Sequence, residues 1–112
     1  TVVVGKANGT AGLTMNSKSI GADMVFAWPN AEIGMMDAKS AAKIMYEGSD
    51  AATINEKAAE YATLQNNVTS AARRGYVDLI VDPADTRKYL VDAFELLYTK
   101  CAYTPDKKHG TK

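Results

Sequence analysis

The sequence has 112 residues, 13 of them basic and 13 acidic, and no formal net charge. This length holds one domain at most, burying roughly 60–70% of its unfolded surface, and the neutral balance offers no basic field to grip nucleic acid. A single cysteine, Cys101, excludes an internal disulfide framework and a multi-thiolate metal site; the apolar runs are too short to span a bilayer or to open a signal peptide, so a reducing, cytoplasmic setting is the default.

In chain order, Val2-Val3-Val4 is a short β-branched run that reads as a buried strand. Such a strand wants neighbours on both sides, so its bare start suits either a trimmed chain or the back half of a larger domain, and it predicts self-association. The stretch Gly5 to Gly12, with glycines at 5, 9 and 12, follows as a loop, and Leu13 to Ile20 holds about two helical turns. Gly21 suits a helix C-cap. Asp23 to Trp28 reads as a strand stopped by Pro29-Asn30, and Ala31 to Met36 as a second. A Pro-Asn link does not suit the primed hairpin turns, which predicts a corner where the chain passes between sheets. Asp37 caps a helix over Ala38 to Tyr46, broken at Glu47-Gly48-Ser49. Asp50 or Ser49 caps a longer helix reaching Gln65, with Ile54, Ala58, Tyr61 and Gln65 on one thin apolar face that suits the surface or another subunit.

Asn66-Asn67 interrupts that helix, and Thr69 to Arg74 makes a short one ended by Gly75. Tyr76 to Val81 suits a strand. Asp82-Pro83-Ala84-Asp85 is a helix start, with an Asp cap, proline in the first turn and an acid behind it. Leu90, Ala93, Phe94, Leu97 and Cys101 then share a face of the last helix. The segment 103–112 reads as a polar tail and 1–102 as the folded part. The order strand–helix–strand–strand–helix–helix–helix–strand–helix is α/β and contains a ββα unit.

No nucleophile–base pair stands out. His109, the one histidine, lies beside Lys107 and Lys108 in the tail, where no second group would orient it. Cys101 reads as a core thiol and the five methionines as core filler. The acids Asp23, Glu32, Asp37 and Glu47 lack metal-ligand spacing, and Arg73-Arg74 reads as a solvated helix end. What remains is the glycine loop. A strand, a glycine-spaced turn and a helix start present bare backbone N–H groups beside the positive end of a helix dipole, which is equipment for an anion or an oxyanion. The same pattern also serves as a plain turn between strand and helix.

Several motifs resemble the C-terminal domain of biotin-dependent acyl-CoA carboxyltransferases, a family that includes propionyl-CoA carboxylase β-chains and the α-chains of methylmalonyl-CoA and glutaconyl-CoA decarboxylases. They are Ser17-Lys18, Gly21-Ala22-Asp23, Ala27 to Ile33, Ala71 to Asp78, Asp82 to Arg87, and Lys107-Lys108-His109-Gly110. The resemblance implies a crotonase-like (ClpP/crotonase) ββα superhelix, of which this chain is a partial domain. It implies carboxyl transfer between biotin on a carrier protein and a short-chain acyl-CoA. In the family, an N-terminal domain from another subunit holds the thioester oxygen. The C-terminal domain holds the biotin ureido oxygen on two adjacent main-chain N–H groups.

By position those donors fall on Thr10 and Ala11, flanked by Gly9 and Gly12, with Leu13 where the acyl pocket varies. The family reads Lys-Ala-Tyr-Gly-Gly-Ala-Tyr where this chain reads Lys6-Ala7-Asn8-Gly9-Thr10-Ala11-Gly12. Two aromatic rings are therefore missing, and the Thr10 β-carbon narrows the backbone angles allowed. A reshaped active hole and a degenerate one, kept in a non-catalytic assembly module, both fit these departures. The resemblance further implies a biotin carrier partner, a homo-oligomer, no activity for the 112 residues alone, and a cytoplasmic subunit, docked to a membrane complex in the decarboxylases.

Overall fold

The computed structural model describes residues 1–101. The polar tail with Lys107, Lys108 and His109 lies outside the described residues. Ten named elements follow in order: β1 (Val2–Val3), β2 (Lys6–Asn8), α1 (Gly9–Thr14), β3 (Phe26–Ala27), β4 (Glu32–Gly34), α2 (Ala38–Met45), α3 (Ala51–Tyr61), α4 (Val68–Arg73), β5 (Leu79–Ile80) and α5 (Thr86–Leu97). The first six form two successive strand–strand–helix units. Two small parallel sheets result, one in the order β1-β3-β5 and one of β2 with β4.

The corner expected at Pro29-Asn30 is present, because β3 belongs to the first sheet and β4 to the second. Ala31 N–H donates to the Trp28 carbonyl at 3.0 Å to close the turn, and Glu32 N–H donates to the Gly5 carbonyl at 3.1 Å. That second bond couples the corner to an equivalent one between β1 and β2 at Val4-Gly5. The strand Lys6–Asn8 replaces the expected loop. Its polar Lys6 and Asn8 gave no alternating apolar signal, and parallel pairing with Glu32, Ala7 with Ile33, and Asn8 with Gly34 makes it a strand.

The core sits on both faces of β3, whose side chains alternate as strand geometry requires. Phe26 packs with Val81 and Ala93, and its ring centroid lies 6.3 Å from that of Tyr89 on α5. Ala27 packs on the opposite side with Ala22, Val25, Ala31, Val68, Ala71 and Val77. Small side chains dominate this second cluster, which lets α4 approach the sheet closely.

The helix caps are locally encoded. Asp37 Oδ2 accepts from Lys39 N–H at 3.2 Å at the start of α2, and Asn67 Oδ1 accepts from Thr69 N–H at 2.8 Å at the start of α4. Asp50 occupies the N-cap of α3 without a side-chain bond. The long helix ends in a π-helical turn, Ala62–Asn66, at the expected Asn66-Asn67 break. Gly21, at φ 108°, caps a single 3-10 turn over Lys18–Ile20.

Two core assignments are corrected. On α5 only Ala93 is buried, with Leu90 and Leu97 half-buried, whereas Phe94 is 72% exposed and Cys101 is exposed. Helical period identifies the apolar stripe correctly; this chain supplies too little surface to cover all of it. The methionines are not core filler: Met15, Met35, Met36 and Met45 are exposed, and only Met24 joins the Phe26 cluster. No helix among the described residues is long and apolar enough to cross a membrane.

Candidate functional site

The helix at the proposed hole begins four residues earlier than its periodicity indicates, at Gly9 rather than Leu13, and ends at Thr14. Gly9 takes φ 61°, a left-handed angle that L side chains avoid, and a Cβ there would stand 3.3 Å from the Met35 carbonyl. The sharp turn from β2 into α1 therefore needs glycine at this one place. Thr10 and Ala11 follow in the first turn, both exposed. Their N–H groups have no carbonyl one turn back inside the helix, and no hydrogen bond outside it takes them among the described residues.

Gly12 has a different role from a loop glycine. It faces the strand, where an added Cβ would come 2.6 Å from the Ala7 carbonyl oxygen and 2.9 Å from its carbon. Absence of a side chain here lets α1 lie directly on β2. Leu13, 44% exposed, lies on the next position of the same short helix.

Several of the motif residues among those described bond to one another across the chain. Lys18 Nζ lies 2.8 Å from both Asp78 carboxylate oxygens and donates to the Asp23 carbonyl at 3.0 Å. Val25 N–H donates to Asp78 Oδ2 at 2.8 Å. Burial pushes the Asp78 carboxyl up, but the Lys18 and Val25 hydrogen bonds and the lysine charge outweigh it and hold the group below the usual carboxylate range. Trp28 Nε1 donates to Thr86 Oγ1 at 2.9 Å, which in turn donates to the Asp82 carbonyl at 3.0 Å. Lys6 and Glu32, register partners on β2 and β4, form an ion pair at 3.3 Å. The spacing of these residues along the chain gave no sign of the pairing, because their partners lie up to 60 positions away.

Arg74 is tied to Gln65, which suits the solvated helix end expected of it. No group of three His, Cys, Asp or Glu side chains able to hold a metal occurs among the described residues. A groove of about 190 Å³ lies between α2 and α3, lined by Met45, Tyr46, Lys57 and Tyr61 among others, and an open apolar face lies on α5 around Phe94 and Tyr98. None of Gly9 to Gly12 lines either. Thr10 and Ala11 are exposed, so enclosing a ligand at their N–H groups requires an opposing surface.

The carboxyl transferase domain profile matches residues 1–111. The chain belongs to that family. This carboxyl transferase sequence is 46% identical over 116 residues to a putative propionyl-CoA carboxylase beta chain of Bacillus subtilis, covering 98% of this chain and 23% of that protein. It is 44% identical to the methylmalonyl-CoA decarboxylase subunit alpha of Propionigenium modestum, covering 98% of this chain and 22% of that one. The crystal structure of transcarboxylase 12S, a hexamer with hydrolyzed methylmalonyl-coenzyme A bound, superposes with a TM-score of 0.89 at 44% identity. That match covers 98% of this chain and 22% of the solved one. The carboxyl transferase chain thus spans about a fifth of the length of its relatives.

Proposed function

We propose that this chain is part of a subunit that moves a carboxyl group between biotin and a short-chain acyl-CoA, and that it supplies the biotin-side oxyanion hole within a crotonase-like ββα superhelix. The observation that carries the reading is the exposed first turn of α1, where Thr10 and Ala11 present unpaired backbone N–H groups. These donors fit the acceptor character of a ureido oxygen. Biotin, held by a carrier protein, supplies the group on which the carboxyl travels. The chain's own part is electrostatic: two fixed dipoles, assisted by the helix N-terminus, favour negative charge on the bound oxygen as it develops. Gly9 sets the turn that aims them, Gly12 seats the helix, and Leu13 borders the acyl pocket.

No side chain near α1 is cast as nucleophile or base, and the proposed reaction needs none from this chain. The thioester of the acyl-CoA is held by an opposing domain, in keeping with a hole that is open on one side. Similarity to transcarboxylase 12S, solved as a hexamer, supports an oligomeric assembly. Residues 1–112 alone are then inactive, lacking the opposing hole.

The test uses the full-length subunit. Thr10→Pro removes one N–H at a first-turn position that tolerates proline. Removal of an oxyanion donor lowers turnover about 10²- to 10³-fold, so carboxyl transfer should fall by that order. A turnover unchanged in the folded variant overturns the assignment. The rival reading, a decayed hole in an assembly module, is favoured by the threonine itself. Thr10→Gly separates the two, since a large gain in transfer marks a genuine site and no gain from an inactive parent marks the module.

A further inference from the structure

Asn66 is buried to 1% exposure, the one polar residue in the buried class among those described. It closes the π-helical turn Ala62–Asn66, whose wide winding aims the amide back at the end of β4. Nδ2 donates to the Met36 carbonyl at 3.0 Å, which fixes the orientation because only the amide NH₂ can face that oxygen. Oδ1 has no hydrogen-bond partner. The amide lies over Gly34, where any Cβ would collide with Oδ1.

Gly34 is the register partner of Asn8, the residue that leads into α1, and Asn8 Oδ1 is also buried without a partner. One position further, the Met35 carbonyl abuts Gly9. Two unpaired amide oxygens are thus gathered at the strand ends from which the proposed hole springs. Buried unpaired acceptors are unfavourable and uncommon, and they cluster where another requirement holds the chain.

Helix α1 is six residues long and buries none of them, so its own packing does little to fix its direction. Its fixed contacts are Gly12 on Ala7 and Gly9 against Met35. We propose that Asn66 is a positioning residue for the hole: by clamping the Gly34–Met36 backbone it presses Met35 against Gly9 and sets where the Thr10 and Ala11 N–H groups point. This inference rests on the reading of α1 given above. Donors that miss the developing charge lose most of their effect, and a misplacement of about 1 Å lowers rates by up to about 10²-fold.

The experiment measures carboxyl transfer and the unfolding midpoint in the full-length subunit for Asn66→Ala, Asn66→Leu, Gly34→Ala, Gly34→Ala with Asn66→Ala, and Thr10→Pro. Asn66→Ala should lower kcat about tenfold or more, while KM for acyl-CoA, whose thioester is held by the opposing domain, changes by less than kcat. Should Asn66→Ala fail to fold, the similarly shaped Asn66→Leu, which loses the donor, should show the same split. Gly34→Ala should lower the midpoint by colliding with Asn66, and the double variant should recover the midpoint but not the rate. A rate that returns together with the midpoint means Asn66 only fills space and overturns the proposal, as does a folded Asn66→Ala with full kcat. Thr10→Pro without effect overturns the hole reading and this inference together. A damaging Thr10→Pro beside a silent Asn66→Ala removes only the role of Asn66.

Discussion

The Asp78 carboxylate joins three segments: the turn after α1 through Lys18, the entry to β3 through Val25 N–H, and its own lead into β5. Its two kinds of bond can be weighed apart. The Lys18 and Asp78 side chains are each 32% exposed, so solvent screens the pair and its net value is about 0–1 kcal/mol. The Val25 amide is part-buried and belongs to a residue only 3% exposed, so an amide left without an acceptor costs about 1–3 kcal/mol. Asp78→Asn keeps an oxygen for Val25 and loses the ion pair, whereas Asp78→Ala loses both.

Native-state hydrogen exchange over residues 22–31 of the full-length subunit reads this locally. Asp78→Ala should speed exchange about 30-fold, the equivalent of about 2 kcal/mol, while Asp78→Asn and Lys18→Met should each change it about fivefold or less. An Asn variant as labile as the Ala variant would refute the claim that the Val25 bond dominates. The pH dependence has a definite sign. Asp78 has a folded pKa below the usual carboxylate value, so its contribution is complete above that usual value and fades as pH falls through the lower folded one. The protection lost in Asp78→Asn should therefore be constant near neutrality and shrink only in the acid range below about 4.

Trp28 and Thr86 share one hydrogen bond between the corner and α5. Trp28→Phe and Thr86→Val should each destabilise by about 1 kcal/mol through that bond, and the double variant by less than the sum, measured by denaturant midpoints; strict additivity would show that the bond contributes nothing. Gly12→Ala should lift α1 off β2, because its Cβ stands 2.6 Å from the Ala7 carbonyl. Transfer activity should then fall well below that of Ala11→Gly, which leaves the seating untouched, and equal activity of the two would show that α1 needs no close seat.

Local chemistry wrote much of this fold into the sequence. Asp37 as a cap, the Asn66-Asn67 break, the proline-led 3-10 turn Pro83–Asp85 that runs into the last helix and the Pro29-Asn30 corner each depend on a few adjacent residues, and each is where it was expected. The family is legible for the same reason that its motifs are dense along the chain, and the profile match over residues 1–111 agrees. The motifs could not reveal that Lys18, Asp23 and Asp78 form one clip, or that Trp28 reaches Thr86, since a pairing across many positions has no period to read.

Tertiary structure decided the rest by supplying partners or withholding them. Lys6–Asn8 is a strand because β4 offers it a parallel ladder, although its own residues are poor strand formers. Helix α1 begins at Gly9 because that residue alone can make the turn against Met35, a constraint from another strand. Asn66 looked like a helix breaker and is a buried clamp, because Gly34 leaves the space its amide fills. Phe94, Met35 and Cys101 carry core-forming side chains and remain exposed. Sequence determines which residues seek burial, whereas burial itself depends on how much surface the surrounding chain brings to cover them.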